Sequence, residues 1–566
     1  RDEKNLYVSG GNDDVIWHYA ILNHKLIKRD SIFLGKPWPK DKISPAGIEI
    51  DDVAHRLYVV TKEDNSLYVC DTRAMQVLKK IPLGSEAYTC LLSPDKKELY
   101  ISLWGAAKVA VFNIEAGTVS DEIPVETHPN DMVLSNDGRY LYVANANSNS
   151  VSVVDIKQRK TVENISATLY PDAPTGSTTN SVALSADGKT LFIANADNNC
   201  LAVFDVSDPG RSHSKGFIPT GWYPACVRVI GRKIFVANGK GFSSMANPEG
   251  PNPVNRKQKT VYQKGVTSQS KPVQYIGGLF IGTLSIINMP DKNLLGIYSR
   301  AVYKNTPYNK QKETITSGEQ GNPIPEKTGH PSPIKHVFYV IKENRTYDQV
   351  LGDIKEGNGD PTLCLFGEKI TPNEHAIVKD FVLLDNFYVD GEVSADGHNW
   401  TDAAYATDFV EKTWPSNYSG RGGNYDFGGN RKISNPDKGF IWDNCFRTGV
   451  SFRNYGEFRD EGHAPRILPE FAKHTCQSYP GWDLSIQDIF REKEWEKDFD
   501  SLAAINAVPG LSIVYLPNDH TSGMSKGAYT PFAHVADNDL ALGRLVDHIS
   551  HSKIWGSSAI FVIEDD

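Results

Sequence analysis

Across residues 1–300 the apolar positions fall in short runs separated by polar turns, and the pattern recurs. Three segments align: SPDKKELYISLWGAAKVAVFNI (93–114), SNDGRYLYVANANSNSVSVVDI (135–156) and SADGKTLFIANADNNCLAVFDV (185–206). Each has a polar turn with Asp, a strand, a small polar turn and a second strand. The aromatic of the first strand falls at Tyr7, Tyr58, Tyr100, Tyr142, Phe192 and Phe235, and the steps from 58 to 100 and from 100 to 142 are both 42 residues. A period of about 40–45 residues with four strands per unit is that of a β-propeller blade. Asp137-Gly138 suits the positive φ of a tight hairpin, and Asn145, Asn195 and Asn199 are expected to adopt left-handed turns between strands. The opening RDEKNLYV reads as the middle of a unit. The chain is therefore expected to begin inside a repeat, and seven blades are expected.

The pattern breaks after Asn238. Residues 239–274 are rich in Gly, Ser, Pro, Asn and Lys, and the strand pattern returns at GTLSIINMP (282–290). This insertion reads equally as a segment reaching towards a second domain or as a surface loop. Pro, Gly and polar residues over 305–333 mark a linker that closes a propeller domain of 1–304.

From 334 to 566 short apolar runs alternate with helical stretches, which predicts an α/β domain with a mostly parallel sheet. Four runs lead into polar clusters: HVFYVI into KENRT, DFVLL into DNFYVDGEVSADGHNW, LSIVYL into PNDHTSG, and AIFVI into EDD. A helix is expected over NWTDAAYATDFVEK, and Leu542, Leu545, Val546 and Ile549 share one helical face. In open parallel sheets, sites form at the carboxyl ends of strands. Those ends supply Glu343 and Asn344, Ser394 and His398, Asp519 and His520, and Asp565 and Asp566. Hard oxygen ligands with a few imidazoles suit Mg, Ca, Mn or Zn. A single such cluster is commonly a helix cap; four on one sheet are harder to read that way.

Composition narrows the partners. A formal charge of -9 argues against nucleic acid, and no apolar run approaches the roughly 20 residues that span a bilayer. The 7 cysteines form no C-x-x-C pair, so no zinc or thioredoxin-like site is signalled. Cys445 and Cys476 are candidates for pairing.

Two resemblances follow. The repeats resemble the Tyr-Val-Thr-Asn-type propeller family, typically seven-bladed, which speaks for fold more than for function. FYVIKENRTYDQVLG is similar to the first strand and loop of the bacterial phosphoesterase family that includes phosphatidylcholine-type phospholipase C and an acid phosphatase, within the alkaline-phosphatase superfamily. Its motif is Glu-Asn-(Arg/Lys)-(Ser/Thr)-(Phe/Tyr)-Asp, matched by Glu343, Asn344, Arg345, Thr346, Tyr347 and Asp348. The resemblance spans 334–566. It implies an alkaline-phosphatase-like α/β sandwich and a divalent metal held by Glu343, Asn344, Asp565 and Asp566. It also implies Ser394 as nucleophile, forming a phosphoseryl intermediate, although the family's Gly-Pro-Thr is absent here and Thr401 and Ser416 compete. His520 is the phosphate-assisting histidine, with His534 as runner-up, and His398 stands beside the nucleophile. Arg345 or Lys342 would balance phosphate charge.

The implied substrate is a phosphorylated small molecule, phospholipid or glycan, with the propeller as substrate or protein-partner platform. The implied location is exported, in the periplasm or at the outer-membrane surface. Because the superfamily continues its sheet beyond the acid pair, further sequence is expected after Asp566. Two competing readings are a non-catalytic exported binding protein with a vestigial phosphatase fold, and a propeller that is itself an enzyme such as a lactonase.

Overall fold

The computed structural model describes residues 4–171, 173–241, 250–255, 258–260, 271–273, 276–306, 322–324, 330–426, 431–459 and 469–566. Most of the 239–274 insertion and of the 305–333 linker lies outside them. The chain divides into two compact units: Arg1–Met245, Gly277–Tyr308 and Thr407–Tyr425 form one, and Ala246–Ile276, Asn309–Ala406 and Asp426–Asp566 the other.

The first unit is a β-propeller. Among the described residues it has six antiparallel sheets, not the seven expected, four of them four-stranded. The opening repeat is already the first of the six, since Tyr7 lies in strand Asn5–Ser9, and so it adds no seventh. The first strands of the five following sheets, Pro45–Asp51, Ala87–Leu92, Pro129–Leu134, Thr179–Leu184 and Pro224–Ile230, succeed one another side by side. Each carries an irregularity in its pairing with the next strand, at Pro45/Ile48, Ala87/Cys90, Pro129/Met132, Thr179/Ser181 and Pro224/Cys226. Such bulges bend and twist a strand, and their recurrence makes the blades equivalent.

The turns repeat as well. Ser93, Ser135 and Ser185 each donate to the Asp two residues on, Asp95, Asp137 and Asp187. The hairpin residue after each aspartate has positive φ: Lys96 58°, Gly138 70° and Gly188 71°. Asn199 is left-handed as expected (φ 52°), and so is Asn149 (φ 51°). Asn145 and Asn195 are not. They end strands, fully buried, and their amides tie strands within a blade or one blade to the next. Asn145 Nδ2 donates to Ser150 and Ser152 Oγ at 3.1 and 2.9 Å, and Asn195 Nδ2 donates to the Ala167 carbonyl at 2.6 Å.

The last sheet, Pro224–Ile230, Lys233–Asn238 and Thr283–Asn288, is followed by a helix instead of a fourth strand. Helix Lys292–Asn305, capped by Asp291, buries Leu295 and Val302, and its Ser299 Oγ accepts from Phe217 N on the preceding sheet at 2.9 Å.

Residues 407–425, which the sequence assigns to the second domain, belong to this unit. The expected helix over NWTDAAYATDFVEK is two helices, Ser394–Ala403 and Asp408–Tyr418. Ala404 is left-handed (φ 60°) and ends the first, and Thr407 caps the second by accepting from Val410 N. Asp408 is buried and accepts from Trp104 Nε1 at 2.9 Å, Lys412 Nζ is 2.7 Å from its other oxygen, and its N–H donates to Asn147 Oδ1 at 3.0 Å.

The second unit is built on a four-stranded sheet in the order Phe452–Tyr455, Leu511–Leu516, His336–Lys342, Ser558–Glu564. All three pairings are parallel. Alternation along His336–Lys342 feeds two cores. Phe338 and Val340 meet Trp495, Phe499, Leu542, Leu545 and Ile549. Ile341 meets Trp442, Phe452, Phe471 and Ile513. Leu542, Leu545 and Ile549 come from helix Pro531–Ser550, as its apolar spacing predicts.

One expected strand is missing and one was not foreseen. DFVLL (380–384) is not a strand. Helix Pro372–Asp380 ends there, no strand pairs with the segment, and Phe381, Val382 and Leu384 are exposed. Its place in the sheet goes to Phe452–Tyr455, a four-residue strand interrupted by Arg453 and Asn454. All seven cysteines are free, so Cys445 and Cys476 do not pair.

Candidate active site

Parallel register sets the site. Lys342 pairs with Leu516 on one side and Glu564 on the other, so the three strands end at one level. The next residues, Glu343, Pro517–Asp519 and Asp565, are delivered together. Asn344 turns the chain with φ 57°, a region that disfavours side chains larger than Gly. The turn aims its N–H at Asp565 Oδ1, 3.0 Å away, and its amide at Glu343 Oε2. Glu343 N–H donates to Asp519 Oδ1 at 3.0 Å, and Asp565 N–H donates to the Lys342 carbonyl at 3.1 Å.

Ser394 and His398 come from the other side, one turn apart on helix Ser394–Ala403. Ser394 is the first residue of that helix, where the helix dipole favours an anion. Its hydroxyl donates to Glu343 Oε2 at 3.1 Å. His398 Nε2 lies 2.8 Å from Glu343 Oε1 and 3.5 Å from Asp565 Oδ2. Tyr515 OH also donates to Glu343 Oε1.

The electrostatics are strained. Glu343 and Asp565 are each about 1% exposed. Burial, with Glu343 and Asp566, pushes the Asp565 carboxyl well above its usual range. Burial, with Glu343 and Glu564, pushes Asp566 up to about 7. Burial also opposes charge on Glu343, but His398, His520 and Tyr515 together more than offset it and lower the pKa. For His398 burial is likewise outweighed, here by Glu457 and Glu343, and the imidazole is held well above its usual value.

The donor set fits a divalent cation. Glu343, His398 and Asp565 offer ligand atoms within 4.8 Å of one another. Asp565 Oδ2 is buried and receives no hydrogen bond among the described residues. Carboxyls raised by burial and by one another are those a cation restores to the charged form. Of the four expected ligands, Glu343 and Asp565 stand in this group, while the Asn344 amide donates to Glu343 Oε2.

The remaining candidates have other places. Lys342 is buried against Asp519 (3.3 Å), Glu564 (3.1 Å) and Glu374, so its charge is already matched. Arg345 is also buried; its guanidinium donates to Gln349 Oε1 at 3.0 Å and to the His520 carbonyl at 3.2 Å, holding the loop that carries His520. His520 lies near enough to Glu343 for a positive imidazole there to favour its carboxylate, packs edge to face with Trp482, and has Nδ1 2.8 Å from the Thr521 carbonyl. His534 is 2% exposed with neither ring nitrogen hydrogen-bonded. Of the rival nucleophiles, Thr401 lies on the same helix as Ser394, and Ser416 belongs to the propeller unit.

Three site residues escape the sequence reading. Tyr515 sits inside the apolar run LSIVYL. Asp402, one turn beyond His398, is visible from helical spacing alone. Glu457 follows the short strand that was not foreseen. His398 Nδ1 is 2.8 Å from Glu457 Oε1, and the two group with Asp402.

Comparison with known proteins bears on the propeller. Residues 54–175 match the family described as lactonase, 7-bladed beta-propeller. Two curated relatives, both the uncharacterized protein YncE, from Salmonella typhimurium and Salmonella typhi, are 29% identical over 97 residues, 17% of this chain and 27% of theirs. The chain thus spans about a quarter of the length of the curated relatives it matches. A putative 6-phosphogluconolactonase from Bacteroides fragilis is similar with 17% identity and TM-score 0.37, over 42% of this chain and 75% of that one. The Pseudomonas aeruginosa periplasmic gluconolactonase is similar with 20% identity and TM-score 0.37, over 42% and 76%.

Proposed function

We propose that the second unit is a metal-dependent phosphoesterase that cleaves a phosphate mono- or diester through Ser394. The observation that carries this reading is the Ser394 hydroxyl. It stands at a helix N-terminus, 3.1 Å from Glu343 Oε2, beside buried carboxyls with unmet charge. Ser394 Oγ, its proton lost to solvent, attacks phosphorus; the bond from phosphorus to the leaving oxygen breaks and that oxygen takes up a proton as the alcohol departs, and water then hydrolyses the phosphorylated serine, releasing phosphate from a monoester or a phosphomonoester from a diester. A bound divalent cation would stabilise the alkoxide and the phosphoryl oxygens. Glu343, Asn344, Asp565 and Asp566 would hold it. The positive end of the dipole of helix Ser394–Ala403 would favour the phosphoryl charge, and His398 orients Glu343. His520 lies where its charge reaches the same carboxylate.

In this proposal the substrate is a phosphorylated small molecule, phospholipid or glycan, the propeller is its platform or a protein's, and the protein is exported to the periplasm or outer-membrane surface. The test is hydrolysis of p-nitrophenyl phosphate and bis-p-nitrophenyl phosphate by the full chain, with added Mg, Ca, Mn or Zn and after chelation. No turnover with any of them, together with no bound metal by elemental analysis, overturns it. The propeller match motivates a competing lactonase reading. Lactone hydrolysis that survives in Ser394→Ala would favour that reading.

A further inference from the structure

Behind Glu343 lies a buried chain that the proposed reaction leaves without a role. His398 and Asp402 lie one turn apart on one face of helix Ser394–Ala403. Glu457 arrives from the carboxyl end of strand Phe452–Tyr455. Asp402 is 2% exposed and Glu457 0%. Apart from the His398 ring, no N–H or O–H donor of another residue type among the described residues reaches either carboxyl. Two carboxylates cannot both stay charged in such a place, because each would lose its hydration without a compensating donor. One proton between them settles the account: the acid of one donates to the carboxylate of the other, and Glu457 accepts from His398 Nδ1.

The chain then reaches the site. His398 Nε2 is 2.8 Å from Glu343 Oε1, and Tyr515 OH donates to the same oxygen. Glu343 Oε2 is left facing Ser394 and the Asn344 amide. We propose that Asp402 and Glu457 are positioning residues. Through His398 they form a hydrogen-bonded chain, Asp402–Glu457–His398–Glu343, that fixes which Glu343 oxygen meets the cation and the nucleophile. This inference rests on the cation reading of the site. Groups behind metal ligands typically tune metal affinity by about 10–100-fold.

The test uses the full chain and Mn2+ as probe, with affinity measured by chelator competition and stoichiometry by elemental analysis. Glu457→Gln preserves volume but breaks the acid pair. It should weaken Mn2+ binding by about 10–100-fold, keep one Mn2+ per chain at saturation, and recover turnover as Mn2+ is raised, with KM for p-nitrophenyl phosphate unchanged. Asp402→Asn, whose amide still donates to Glu457, should stay within about threefold of the unmodified protein. Glu457→Gln added to His398→Gln should cost less than about twofold more, since both cut one chain. Unchanged Mn2+ affinity in Glu457→Gln, in protein with an unaltered melting curve, overturns the proposal. Two Mn2+ per chain, falling to one in Glu457→Gln, overturns it too and makes His398, Asp402 and Glu457 a cation site. No Mn2+ bound by the unmodified protein overturns the cation reading, and this inference with it.

Discussion

Lys342 Nζ and Glu564 Oε1 lie 3.1 Å apart at the ends of two strands that pair in parallel register. The pair fixes the level at which both strands stop, and so places Glu343 beside Asp565. The same ammonium meets Asp519 and Glu374, making one buried cation for three acids. Burial disfavours its charge, yet these acids hold its pKa well above the usual lysine value. Lys342→Met should destabilise the protein by about 3–5 kcal/mol, because it leaves buried acids unpaired. Urea unfolding reads this out. A loss below about 1 kcal/mol would mean the acids find other partners or shed their charge.

Ser394→Ala should lower phosphoesterase turnover by at least about 10³-fold, since the residual rate then rests on binding and electrostatics alone. Mn2+ affinity should change much less, because Glu343, Asn344, Asp565 and Asp566 remain. Full turnover in Ser394→Ala would remove it as nucleophile and direct attention to Thr401 on the same helix.

The gathering of Glu343, Asn344 and Asp565 was legible because a parallel sheet forces strand ends to one side, whereas Ser394 and His398, expected behind the strand DFVLL that does not form, reach the site from a helix. Apolar runs ending in acids marked three of the four strands. The fourth was hidden: in Phe452–Tyr455 two apolar residues flank Arg453 and Asn454, and Glu457 was lost with it. DFVLL misled because five residues of strand-like composition need a neighbour, and none pairs with it. Ala404 explains the helix read as one. Nothing in its side chain announces a left-handed residue, yet that turn sends 407–425 to the propeller unit. The blade period was plain, because a recurrent Ser–Asp turn and a recurrent aromatic are local signals.

Without metal, stability should fall as pH rises. Asp565 and Asp566 have folded-state pKa values above their ordinary ones, through burial and mutual repulsion, with Asp566 at about 7. The folded form therefore binds more protons than the unfolded form between about pH 4 and 7, and stability is lost as pH climbs through that window. In chelator the melting temperature should be lower at pH 7.5 than at pH 5.5. Mn2+ should reverse the order, and Asp566→Asn should flatten the slope in chelator. Equal melting temperatures at both pH values in chelator would mean that the acid cluster carries no such strain.

The propeller unit offers a test independent of the catalytic reading. Asp408 is wholly buried, and Trp104 Nε1 and Lys412 Nζ serve its two oxygens at 2.9 and 2.7 Å. Trp104→Phe keeps an aromatic ring in the core but removes the donor. Asp408 Oδ2 would then be left with Asn130 Nδ2 at 3.5 Å. The cost should be about 1–3 kcal/mol, the usual penalty for an unsatisfied buried acceptor. Trp222→Phe is the control: that ring is 39% exposed and should change stability by no more than about 0.5 kcal/mol. Because the acceptor carries the penalty, Asp408→Asn combined with Trp104→Phe should cost less than the two separate losses added together. Additive losses would show that Trp104 and Asp408 act independently, and that residues 407–425 are held to the propeller by packing instead of by this bond.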